Sequence, residues 1–309
     1  MIAVVKPGLL TTVQDAGRFG HRASGMPVAG AMDRLALAAA NLLAGNDRGA
    51  AALELTLVGG TFRFEWEVIA ALAGAELPAS LDGQPIPTGT PFHAPAGATL
   101  TLGVASRGVR AYLAVQGGIG VPRLLGSRST YARAGFGGFE GRALRAGDRL
   151  PVGNAPGNAS PGAALLPGEF PELAAPGSTV TLRVIPGPQE ELFHPEGLET
   201  LHRATWKVTT QNDRMGYRLD GPPVRLMGAA DIVTDAVVPG AVQVSGDGKP
   251  MVLMVDCQTT GGYAKPFAVI GPDLRVLAQA RAGDGVRFLR CTQEEAVAAL
   301  EEERSWRST

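Results

Sequence analysis

Glycine and proline interrupt this chain so often that long uninterrupted elements are ruled out: 42 glycines and 23 prolines are spread over 309 residues. Between them lie short runs rich in β-branched and aromatic residues, at 61–65, 99–102, 109–115, 179–185, 242–244, 251–255 and 286–289. Runs of that length and composition bounded by turn residues read as strands. Asp247-Gly248 between two of them reads as a hairpin turn. Two helices stand out. Asp33 is placed to cap a helix over 34–44 that ends at Gly45, and Thr292 with Glu295 forms a capping box for a C-terminal helix reaching Trp306. The sum predicts a mainly β chain of two barrels or sandwiches with a few peripheral helices, not alternating βαβ units.

Length divides the chain. At 309 residues it exceeds the size at which one core keeps growing, so two domains of roughly 150 residues are expected. The stretch 151–178 is dense in proline and glycine and has no apolar periodicity, which marks it as a linker between domains at 1–150 and 179–309. The halves echo each other. Arg145-Ala146-Gly147-Asp148 and Arg281-Ala282-Gly283-Asp284 each lead into a last strand, and in each half an apolar strand runs into glutamine and a glycine pair. The echoes fall in the same order, which favours an internal duplication over chance.

Charge and motifs narrow the function. The formal net charge is −1 and neither half carries a basic run, so the electrostatic footprint of nucleic-acid binding is missing. Cys257 and Cys291 sit singly in apolar contexts, with neither metal-ligand spacing nor a disulfide framework. No apolar run reaches membrane-spanning length, and a soluble protein of a reducing cytoplasm is expected. Phosphate-loop, dinucleotide, zinc-protease and nucleophile-elbow motifs are absent, as is a biotin-acceptor hairpin, so no covalently attached biotin and no metal are expected. The four histidines are scattered, and none is assigned a catalytic role.

Two polar glycine loops remain. Gln14-Asp15-Ala16-Gly17-Arg18-Phe19-Gly20 packs an amide, a carboxylate and a guanidinium between glycines, and Gln258-Thr259-Thr260-Gly261-Gly262-Tyr263 follows an apolar run. Arg18 and Arg214 are the candidate clamps for a carboxylate or phosphate. Gln14, Gln258, Thr259 and Thr260 are candidate amide and hydroxyl contacts, and Asp15 or Asp256 the candidate base. The competing readings are structural: Asp15 capping a turn with Arg18 paired to it, an ion-paired surface loop at Arg214, and satisfied strand-end groups at Asp256 and Gln258. In the functional reading both loops contribute to one cleft.

The run from Lys6 to Arg18, then Gly30-Ala31-Met32-Asp33, Ala40-Asn41, Gly45-Asn46 and Leu53-Glu54, closely resembles the KipA family, also described as the C subunit of 5-oxoprolinase, as allophanate hydrolase subunit 2 or as biotin-dependent carboxyltransferase-like. The resemblance resumes at 183–189, 213–221 and 243–263. It implies two cyclophilin-like β-barrel domains. It also implies a place in a complex with a KipI-like B subunit, joined by a LamB/YcsF-type A subunit. That complex, using ATP with Mg2+, opens 5-oxo-L-proline to L-glutamate, and this chain alone would be inactive. Two alternatives stay open at this point: a carboxyltransferase acting between carboxybiotin and urea-type amides, and a regulator that binds a KipI-like kinase inhibitor.

Overall fold

The computed structural model describes residues 1–154, 161–166 and 168–306; residues 155–160 and 167 of the expected linker lie outside the described residues. Two compact units emerge, one built from Met1–Phe19 and Val28–Leu173, the other from Gly20–Pro27 and Ala174–Thr309. The chain passes from the first unit to the second between Leu173 and Ala174. The assignment of Gly20–Pro27 to the second unit had no signal in the sequence.

The first unit holds two antiparallel sheets. One runs in the order Arg149–Leu150, Ile2–Lys6, Thr61–Phe64, Thr99–Leu102, Ala79–Leu81, Gln84–Pro85; the other runs Leu10–Gln14, Ala52–Thr56, Arg107–Val115, Val68–Glu76, Pro91–Ala94. Strand alternation fills a single core between them. In Thr61–Phe64 the side chains of Phe62 and Phe64 are fully buried while Arg63 is exposed, and Leu53, Leu55, Leu72, Leu100 and Leu113 join the same cluster. The helix Arg34–Leu43 covers the other face of the five-stranded sheet, packing on Val68–Glu76 and Arg107–Val115. Both faces of those strands are therefore buried, which explains an apolar run, Val68 to Ala75, without period-2 alternation. Gly74 is required at that contact: a Cβ there would lie 2.5 Å from Arg110 O and 3.2 Å from the Ala36 Cβ. Asp33 caps the helix as expected, accepting from Ala36 N at 2.9 Å.

The second unit is a closed seven-stranded barrel in the order Thr179–Pro186, Phe267–Val269, Ala241–Val244, Pro250–Leu253, Gly216–Asp220, Trp206–Asn212, Gly285–Arg290. It closes through a parallel pairing of its first and last strands, from Thr179 opposite Gly285 to Val184 opposite Arg290. Closure leaves no free sheet edge in the barrel. Leu182, Trp206, Tyr217, Val242, Val252, Phe267 and Val286 are buried. The strands Asp231–Ala236 and Thr260–Tyr263 form a separate two-stranded sheet. Both hydrogen bonds of the expected capping box, between Thr292 and Glu295, are present at the start of Gln293–Ser305.

The chain is mainly β, as the sequence indicates. The Arg-Ala-Gly-Asp echo is a real structural repeat. In each copy the aspartate accepts from the arginine backbone N at 2.7 Å, and the glycine has φ near 90°. Each glycine N donates to a strand carbonyl at 2.8 Å, Val4 in one unit and Val208 in the other. Two loop expectations need correction. Gln14 is the last residue of a strand paired to Ala52, and Thr260–Tyr263 is a strand, because backbone partners were available on Ala52–Thr56 and Asp231–Ala236.

Candidate functional site

The first glycine loop is a structural clasp. The Asp15 carboxylate accepts from Gly17 N at 2.9 Å, Ser127 Oγ at 2.7 Å and Arg128 N at 2.6 Å, and in a short contact from Ser129 Oγ. Arg18 is fully buried, donating from Nε to Leu124 O and from Nη2 to Ser129 O, each at 3.0 Å, with its guanidinium over the Phe136 ring. Both side chains therefore hold the 124–129 segment in place. A base needs a lone pair facing its substrate and a clamp needs a reachable fork. Here both Asp15 carboxylate oxygens and the Arg18 Nε and Nη2 groups are engaged with protein partners, which fits the structural reading of this loop. Gln14 is fully buried beside them, its amide nitrogen donating to Thr12 Oγ1 and to Thr130 O.

In the second unit Arg214 and Asp256 hold each other. Nε meets Oδ2 at 2.9 Å and Nη2 meets Oδ1 at 3.0 Å, a bidentate fork that is mostly shielded from solvent. The same pair joins the Asp213-Arg214-Met215 turn to the end of Pro250–Leu253, with Asp256 N donating to Arg214 O. The expected anion clamp and the expected base thus pair with one another, because the turns that carry them flank the neighbouring strands Gly216–Asp220 and Pro250–Leu253.

Gln258, Thr259 and Thr260 differ. Their backbones are held, Val237 N donating to Thr259 O at 3.1 Å and Ala236 pairing with Thr260. Their side chains make no hydrogen bond among the described residues, and Gln258 and Thr259 are half-buried. These three remain available to a ligand.

Gly261 is the centre of their surroundings. A Cβ at this position would lie 2.6 Å from Gln243 Nε2, so the glycine admits the amide of a barrel residue beneath it. Gln243 is 1% exposed, and its Nε2 has no hydrogen-bond partner among the described residues. Asp235 lies opposite Gly261 in the two-stranded sheet. Its Oδ2 accepts from Lys265 Nζ at 2.9 Å and from Gln189 Nε2 at 3.2 Å. Lys265 is 3% exposed, and its backbone N donates to Gln189 Oε1. The Lys265 hydrogen bond holds the Asp235 carboxyl below the usual carboxylate range. From the segment Gly20–Pro27, Arg22 donates through Nη2 to Val237 O and Gln258 O, while its buried Nη1 has no hydrogen-bond partner among the described residues. Cys257 is also buried here, and burial pushes its thiol up to about 11 against the pull of Arg22, so it is a poor nucleophile near neutrality.

Two buried N–H donors, Gln243 Nε2 beneath Gly261 and Nη1 of Arg22, whose Nη2 reaches Val237 and Gln258, thus have no hydrogen-bond partner among the described residues. Such donors are costly unless an acceptor satisfies them, and a carbonyl or carboxylate oxygen of a small molecule would do so. No motif pointed to Arg22 or Lys265, and Gln243 entered only as the first residue of the resembling stretch 243–263. The one available signal was Lys265 itself, a lone cation inside the apolar run Ala264-Lys265-Pro266-Phe267.

Known proteins share this architecture. A family model described as the carboxyltransferase domain, subdomain A and B, matches residues 24–290. The C subunit of 5-oxoprolinase from Escherichia coli is 40% identical over 311 residues, covering 99% of this chain and 96% of that protein. The protein of the same name from Haemophilus influenzae is 37% identical, covering 96% and 93%. Among solved structures, the Kluyveromyces lactis urea carboxylase superposes with a TM-score of 0.94 at 30% identity, over 98% of this chain and 28% of that much longer one.

Proposed function

The chain belongs to the carboxyltransferase domain family, and on that premise we propose that it serves as the C subunit of an ATP-dependent 5-oxoprolinase that opens 5-oxo-L-proline to L-glutamate. One observation carries this reading: similarity to the two 5-oxoprolinase C subunits runs over nearly the whole of both chains in each pair. With the urea carboxylase it covers only a segment of the larger chain.

The Gly261 residues suit the chemistry. A lactam presents a carbonyl oxygen, an N–H and, in 5-oxoproline, a carboxylate. Gln243 Nε2 and Arg22 Nη1 would donate to an oxygen, and Gln258, Thr259 and Thr260 would pair with the amide edge. Lys265, oriented by Asp235 and Gln189, would stabilise charge that develops on the carbonyl oxygen. ATP, with Mg2+, would supply the phosphoryl group that activates a carbonyl otherwise resistant to water. Lys265 and Arg214 are already paired with carboxylates, an arrangement better suited to a small amide than to a triphosphate. In this reading the nucleotide is held with the help of a KipI-like B subunit, alongside a LamB/YcsF-type A subunit.

A second reading has its own support. The family name and the urea carboxylase superposition favour transfer of a carboxyl group from carboxybiotin to a urea-type amide, a substrate with the same carbonyl and N–H groups. Coexpression of this chain with candidate A and B subunits, followed by parallel assays, separates the two. ATP-dependent glutamate release from 5-oxo-L-proline supports the first reading. Carboxylation of urea from a biotin carrier, without glutamate release, replaces it with the second.

A further inference from the structure

The first unit contains a polar cavity of about 230 Å³ whose walls include Asn46, Asp47, Gly117, Arg123, Arg128 and Asn154. We propose that this cavity is a binding site for a small oxyanion, a phosphate or the carboxylate of a small molecule, held between the Arg123 and Arg128 guanidinium groups. The cavity belongs to the first unit and the Gly261 residues to the second, and its role does not depend on which reaction the protein serves.

Three observations support it. The Arg128 side chain is fixed at its root: its backbone N donates to Asp15 Oδ2 at 2.6 Å and its Nε to Val121 O at 2.7 Å. That leaves the two Nη groups without a hydrogen bond among the described residues. Arg123 is exposed and makes no hydrogen bond or ion pair among the described residues. Asp47, the carboxylate on the same wall, pairs with neither arginine among the described residues, so the lining carries a formal surplus of one positive charge.

The floor is rigid. Asn46 donates through Nδ2 to Val115 O at 2.7 Å and accepts at Oδ1 from Gly117 N at 2.8 Å. Gly117, at φ 89°, approaches Gly153 so closely that a Cβ would lie 2.2 Å from its carbonyl oxygen. A preorganised floor beneath forked donors lowers the ordering cost of binding an anion. The volume is below the roughly 300–1,000 Å³ of ordinary ligand pockets, which selects a small ligand. Asp15 acquires a purpose here as the positioning residue that sets the direction of Arg128.

Calorimetric titration of the purified full-length protein with inorganic phosphate, acetate and 5-oxo-L-proline, at low and high salt, tests the proposal. The wild type should bind at least one of these anions, more weakly as salt rises. Arg123→Gln should weaken that binding about tenfold or more with an unchanged melting temperature, as expected for loss of one charge-assisted contact. Asp47→Asn should strengthen it, an effect that a purely structural role for Asp47 does not produce. Arg128→Gln should behave like Arg123→Gln, and if it fails to fold the Arg123 and Asp47 variants decide. Binding of phosphate alone assigns a phosphate ligand, and binding of the carboxylates alone a carboxylate. No binding by the wild type, or binding that Arg123→Gln and Asp47→Asn leave unchanged, overturns the site.

Discussion

Arg18 and Lys265 are both buried cations, yet they predict different mutants. Arg18 donates to two backbone carbonyls and lies over Phe136. Arg18→Ala strands those carbonyls and leaves a void, so it should cost about 2–5 kcal/mol, read as a lower urea midpoint. Arg18→Lys should recover only part, because an ammonium cannot span both carbonyls as a fork does. Lys265 instead pairs with Asp235, which is 47% exposed and can return to water. Lys265→Met should therefore leave stability nearly unchanged, and lower glutamate release by the assembled complex about tenfold or more. An unchanged rate in a correctly assembled complex would remove Lys265 from the site. The sequence exposed Arg18 through its glycine context but not its burial, since the carbonyls it binds lie more than a hundred residues away. It hid Gln243 and Arg22 for the same reason: each matters through contacts that only the folded chain creates.

Among single elements, the strand around Gly261 separates fold from function. A Cβ at 261 meets the far end of the Gln243 side chain, not backbone, so Gly261→Ala should leave the barrel folded. It should raise KM for the amide substrate by displacing the donor beneath the strand, measured beside the melting temperature as a control. The turn at Asp148 gives a pH test. Hydrogen bonds from Arg142 hold the Asp148 carboxyl below its usual range, so the folded value lies below the unfolded value of about 3.9. Its contribution is present above that unfolded value and disappears as pH falls through the folded one. Denaturant titrations should show the wild type more stable than Asp148→Asn at pH 7, with the difference vanishing under acid conditions; a difference that persists there contradicts the assignment. Elements with local signals were legible, among them the Asp33 cap, the Thr292–Glu295 capping box and strands bounded by glycine. Val68–Glu76 was not, because burial on both faces erases the alternation that identifies a strand. The strand Thr260–Tyr263 was hidden by its two glycines, which favour turns unless a partner strand supplies the hydrogen bonds.

For the whole molecule, family membership follows from similarity along the chain, and the proposed activity requires partners. No helix among the described residues is long and apolar enough to cross a membrane. The mainly β architecture followed from punctuation, whereas the grouping of Gly20–Pro27 with the second unit is a tertiary event that no local pattern encodes. In the proposed function this chain is an essential but incomplete part of a 5-oxoprolinase. Reconstitution with candidate A and B subunits is the decisive test, measuring ATP-dependent glutamate release from 5-oxo-L-proline for the full set and for each omission. Turnover is expected with all components, and only background release when this chain is left out or supplied alone. Undiminished turnover by the partners without it, or sustained turnover by this chain alone, would contradict the proposed function.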